Sequence, residues 1–81
     1  MDYDILEARH VTGYKIWLRF RDGTQGEVDL ERWLTGPVFE PLKGLGFFRQ
    51  FSVDPRICTL VWPNGADIAP ETLHEAVRRV A

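Results

Sequence analysis

A single cysteine, Cys58, stands in the whole chain, so no internal disulfide can form and nothing points to an oxidising compartment. Histidine is nearly as scarce: His10 and His74 lie far apart, and no zinc-ligand spacing connects them to Cys58. There is no glycine-rich phosphate loop and no serine nucleophile elbow. No apolar run approaches the length needed to span a bilayer. The opening residues Met1, Asp2, Tyr3 and Asp4 are acidic where a signal peptide would be basic. An excess of positive charge is also missing. Ten Lys and Arg face twelve Asp and Glu, a net charge of -2, whereas a free-standing nucleic-acid binder carries a clear basic surplus. Repeats, low-complexity tracts and linkers are absent. These absences lead to the expectation of a cytoplasmic protein, with no membrane segment, cofactor, metal site or catalytic residues, that does not bind nucleic acid directly.

What is present is a core. Hydrophobic residues make up 44% of the chain, with three Trp and five Phe, well above the disordered regime. The 81 residues amount to a single domain over 1–81. A chain this short buries only about 60–65% of its unfolded surface, so a protein partner or a self-dimer is expected to contribute to its stability.

Residues 5–12 read as a short, imperfectly alternating strand. Residues 14–20 alternate cleanly: Tyr14, Ile16, Leu18 and Phe20 on one face, Lys15, Trp17 and Arg19 on the other. Asp22 and Gly23 then signal a hairpin into 24–30. A two-residue loop would set Ile16 against Asp29 and mix charge into the apolar face. A three-residue loop of Arg21, Asp22 and Gly23, with Gly23 left-handed, pairs Ile16 with Val28, Tyr14 with Leu30, Lys15 with Asp29 and Trp17 with Glu27. One residue of slip turns every side chain over, so the bulged loop is expected. The same device with Val11, Thr12 and Gly13 would join the first two strands and set Leu6 against Leu18 and Ala8 against Ile16.

Asp29 is placed to cap a helical turn over 30–34 that ends near Gly36, and Pro37 opens a second turn over 38–42. Residues 43–46 read as a loop and 47–53 as a strand. Asp54, Pro55 and Arg56 form a turn, and 57–62 is the antiparallel partner, with Phe51 and Val53 facing some of Cys58, Leu60 and Trp62. Pro63 ends the ladder and Asn64 with Gly65 supplies a turn of positive φ. Pro70 suits a first helical position, and Leu73, Ala76, Val77 and Val80 recur at helical spacing. The expected fold is α+β: an antiparallel sheet of about five strands, in the order β-β-β, short helical turns, β-β, α, with the C-terminal helix packed on one face. Whether that helix packs in cis or is swapped between chains is open at this level.

Several blocks together carry a family resemblance. They are residues 20–23, 26–30, 36–42 and 51–54, and above all Trp62, Pro63, Asn64, Gly65, Ala66, Asp67, Ile68, Ala69, Pro70 and Glu71. In these blocks the chain resembles domain-of-unknown-function family 2442, nearly end to end. The resemblance implies a small bacterial α+β domain. Some members carry an added helix-turn-helix domain, and some sit beside a small companion protein in arrangements suspected to be toxin–antitoxin pairs. It supplies no catalytic residues to carry over. Two positions depart from the family pattern: Cys58 stands where members often have glycine before the threonine, and His74 where tyrosine is common. No helix-turn-helix region follows Ala81, so direct operator binding is not expected.

Several constellations are left to weigh. Glu71 and His74 share a helix face as Glu-x-x-His, but a metal site needs further ligands, and an N-terminal acid favouring the helix dipole beside an exposed imidazole explains the pair. Arg78 and Arg79 likewise suit the helix end. Trp62, Asn64, Asp67 and Glu71 outline a hypothetical ligand site in the 64–71 loop; against it, an Asx residue at such a turn usually serves the backbone. Cys58, expected in mid-strand, reads as a small core or edge residue rather than a nucleophile. Lys15, Trp17 and Arg19 form the most interesting exposed feature, because an aromatic ring among cations can anchor a protein partner or stack on bases. The leading expectation is a non-enzymatic protein-interaction module, antitoxin-like or adaptor-like. The alternatives are a small-ligand regulatory domain using the 64–71 loop and, more weakly, an RNA-binding module.

Overall fold

The computed structural model describes residues 3–80, with side chains up to residue 77. Val80 of the expected apolar stripe, and Arg78 and Arg79, therefore lie outside the described side chains. The fold is α+β. Strands β1 (Ile5–Thr12), β2 (Lys15–Phe20) and β3 (Gln25–Asp29) form an antiparallel meander. Two 3₁₀ turns follow, Glu31–Trp33 and Glu40–Lys43, then one turn of helix, α1 (Leu45–Phe48). A second, two-stranded sheet pairs β4 (Ser52–Asp54) with β5 (Thr59–Val61), and α2 (Pro70–Val80) ends the domain. The five expected strands are present among the described residues, divided three and two.

The β2–β3 register is the bulged one: Lys15 faces Asp29, Ile16 faces Val28 and Trp17 faces Glu27. Its loop has a specific build. Phe20 N donates to Thr24 O at 2.8 Å, Gly23 N donates to Phe20 O at 3.0 Å, and Gly23 sits at φ +92°. Asp22 Oδ1 accepts from Thr24 N at 2.9 Å. The same device recurs after β5. Trp62 N donates to Ala66 O and Gly65 N to Trp62 O, both at 2.9 Å; Ala66 N donates to Asn64 Oδ1 at 3.1 Å; and Gly65 sits at φ +89°. In both loops an Asx side chain satisfies the N–H that follows a left-handed glycine, a conformation that costs a residue with a Cβ about 1–2 kcal/mol.

The β1–β2 pairing differs from the expected one. Ala8 faces Leu18 rather than Ile16, His10 faces Ile16, and Leu6 is exposed. Irregularities between Ile5 and Glu7 and between His10 and Thr12 absorb the shift, and the loop is Gly13 and Tyr14. The reason lies in the ends of the strand. Ile5 is buried opposite Phe20 and its N donates to Cys58 O at 2.9 Å, a tertiary bond that local alternation does not contain.

Two further local expectations are corrected. Residues 45–48 form a helical turn where loop and strand were expected, because Phe48 is fully buried and its carbonyl accepts from Trp62 Nε1 at 2.8 Å. The strand that follows is confined to Ser52–Asp54. Cys58 is not in mid-strand either. It closes the turn before β5 at φ +55°, the one non-glycine residue with positive φ among those described. Its N donates to Asp54 O at 2.6 Å. Phe51 and Val53 do share a side with Leu60 and Trp62, around the Phe48 ring.

Asp29 Oδ1 accepts from Glu31 N at 2.9 Å and opens the first 3₁₀ turn. Helix α2 begins at Pro70 as expected and lays Leu73 and Val77 against the inner face of the meander. Gly26 allows that approach: a Cβ there would meet Val77 Cγ1 at 3.1 Å. His74, expected to be exposed, is buried. Its ring packs edge-on between Tyr3 and Phe20, and Nε2 lies 2.8 Å from Asp22 Oδ2. An imidazole on the apolar side of a helix is tolerable only with its polar atoms paired. Asp22, at the tip of the β2–β3 hairpin, supplies that pairing and so ties the hairpin to α2.

Candidate interaction surface

The meander has two unlike faces. The inner one carries Ile16, Leu18, Phe20 and Val28 into the core beneath α2. The outer one displays Lys15, Trp17 and Arg19 from β2, flanked by Glu7 and Arg9 from β1 and by Gln25, Glu27 and Asp29 from β3. All three residues singled out from the strand alternation thus share one face. Lys15 is exposed and makes no ion pair among the described residues, while Trp17 and Arg19 are half-buried.

The partners of Trp17 and Arg19 come from β1. The Arg9 guanidinium lies 4.4 Å from the Trp17 ring centroid. Glu7 bridges both arginines, with Oε1 3.4 Å from Arg19 Nε and Oε2 3.4 Å from Arg9 Nε. Sequence reasoning missed Arg9 and Glu7 because the expected β1–β2 register put Glu7, not Arg9, across from Trp17. A correct register would have exposed the Arg–Trp pair. Energetically these contacts are weak: an exposed cation–π contact stabilises by about 0.5–1 kcal/mol and an exposed ion pair by about 0–1. Such a face can exchange its charge pairs for those of a partner at little cost, while the Trp17 ring offers a large apolar area.

The 64–71 loop is held differently. Trp62 is buried among Phe48 and Phe51, with its N–H committed to the Phe48 carbonyl. Asn64 Nδ2 donates to Val38 O at 2.9 Å, so Asn64 staples the loop to the segment after Gly36. Asp67 is exposed and pairs with Val61 in an isolated bridge. Glu71 is exposed in the first turn of α2 and lines a cleft of about 930 Å³ between α2 and the end of β3. The structure therefore does not gather these four residues around one cavity. Asp29, Glu31, Trp33, Glu71 and Glu75 are among the cleft's walls.

Glu71 and His74 do not converge either, since His74 turns inward to Asp22. Among the described residues no group of three or more His, Cys, Asp or Glu is placed to hold a metal ion. The Asp22 carboxyl is held below its ordinary range, first by the Thr24 backbone N–H and then by the bond to His74. Among the described residues no helix is long and apolar enough to cross a membrane.

Fold and surface together define a small α+β domain with a half-buried tryptophan on an otherwise charged sheet face. The chain belongs to the family described as "Protein of unknown function (DUF2442)", whose model matches residues 5–79. No curated protein and no solved structure matches it.

Proposed function

We propose that this domain is a non-enzymatic protein-interaction module, the adaptor-like or antitoxin-like member of a bacterial two-protein pair, and that it engages its partner through the outer face of the meander. One observation carries the reading: Trp17 stands beneath Arg9 and between Lys15 and Arg19, on the sheet face opposite α2. Trp and Arg dominate the energetics of protein interfaces, and charges held by weak surface pairs can be re-paired there.

The test is a tagged pull-down from native-host lysate, with and without nuclease, read by mass spectrometry. The expected result is one stoichiometric small protein, retained after nuclease and lost with Trp17→Ala. An empty bait, monomeric and well folded, would overturn the reading.

A second reading, a small-ligand site using the 64–71 loop, draws support from the place of Glu71 on the cleft wall. It requires ligand-induced stabilisation that Asp67→Ala abolishes without loss of fold. RNA binding is the weakest reading, because Glu7, Glu27 and Asp29 share the face of Lys15 and Arg19.

A further inference from the structure

The open edge of β3 lies beside the cleft between β3 and α2. Hydrogen bonds between β2 and β3 use the even-numbered residues of β3: Phe20 N donates to Thr24 O and Leu30 N to Tyr14 O, with Leu18 facing Gly26 and Ile16 facing Val28 between them. The backbone N–H and C=O groups of Gln25, Glu27 and Asp29 therefore point away from β2, and among the described residues no further strand lies on that side of β3. An edge of this kind is a template for another strand.

The side chains around the edge select what can occupy it. Glu27 and Asp29 stand on its outer side, and Glu31 and Glu71 line the cleft on the inner side, with Arg32 the one cation of the cleft wall among the described residues. A second copy is disfavoured. An antiparallel two-fold pairing centred on Glu27 would set that carboxylate against its own counterpart, and like charges directly opposite destabilise a ladder. A strand carrying Lys or Arg is favoured on both faces. Its outward residues would meet Glu27 and Asp29, and its inward residues would meet Glu71 beside the Trp33 ring.

We propose that the β3 edge takes up an extended basic segment of a protein partner as a fourth strand of the meander, with alternate side chains in the cleft. This shares with the preceding reading the premise that the domain binds protein, but it uses a different surface.

The probe is a fluorescein-labelled ten-residue peptide in which Lys and Arg alternate with Val and Thr. Its controls are the same peptide with Glu for every cation, and a version N-methylated at the positions facing the edge. Anisotropy should show binding of the basic peptide alone, weakened about tenfold or more by N-methylation, by Glu27→Lys or by Glu71→Lys. In hydrogen-exchange NMR the amides of Gln25, Glu27 and Asp29 should slow about tenfold or more on binding.

No binding, equal binding of the glutamate peptide, or binding without protection of those three amides would overturn the proposal. So would their concentration-dependent protection without peptide, which would mean that a second copy occupies the edge. The two surfaces separate cleanly. A pull-down partner lost with Trp17→Ala, together with a silent peptide, sinks only the edge proposal. Peptide binding alongside an empty bait sinks only the outer-face reading.

Discussion

Cys58→Gly should make this domain more stable, an unusual direction for a substitution that removes a side chain. Cys58 holds φ +55° and cannot relax out of it, because both of its backbone groups are committed. Its N donates to Asp54 O at 2.6 Å, and its carbonyl accepts from Ile5 N at 2.9 Å, joining the turn to the start of β1. A left-handed conformation costs a residue with a Cβ about 1–2 kcal/mol. Glycine removes that strain but adds about 0.5–1 kcal/mol of unfolded-state entropy. The thiol contributes little in return, its Sγ lying 3.6 Å from Pro55 O. The balance favours glycine by about 0.5–1 kcal/mol, a rise in melting temperature of about 3–6 °C for a domain of this size. Calorimetry of wild type, Cys58→Gly and Cys58→Ala decides the matter. Alanine keeps the Cβ and so keeps the strain, and should melt at or below wild type. A glycine variant no more stable than the alanine variant would refute the strain argument.

Two further predictions concern the β2–β3 hairpin. Gly23→Ala should destabilise by about 1 kcal/mol or more, since Gly23 at φ +92° has open space around it and only conformation opposes a Cβ; an unchanged melting temperature would contradict the bulged register. Asp22→Asn should lower the urea midpoint at neutral pH. Because the folded-state pKa of Asp22 lies below the ordinary 3.8, its stabilisation is fully present above that value and is lost as pH falls through the depressed one. The gap between wild type and variant should therefore be wide at pH 5 and narrow toward pH 2, and a gap constant over that range would show that the carboxylate's bonds to Thr24 and His74 do not stabilise the fold.

Much of this protein was legible in its residues because the deciding physics was local. Alternation over 14–20 and the Asp22–Gly23 turn specify the β2–β3 register, since a slip would bury Asp29 and Glu27. Pro70 and the spacing of Leu73 and Val77 specify where α2 starts and which side faces inward. The face bearing Lys15, Trp17 and Arg19 follows from the same alternation. Wherever the outcome depended on distant contacts, local pattern gave no hold. The β1 register follows the Ile5 bond to Cys58 rather than alternation, and with it goes the stacking of Arg9 on Trp17. Residues 45–48 coil because Phe48 is needed under Trp62, fourteen residues on. His74 is buried because Asp22, fifty-two residues away, arrives to pair with it. The acidic cleft beside the open β3 edge exists only once α2 has packed, since its walls come from chain segments some forty residues apart. Turns and periodicities are set by neighbours in the chain, whereas buried polar pairs and clefts are set by neighbours in space, and only the folded structure supplies those.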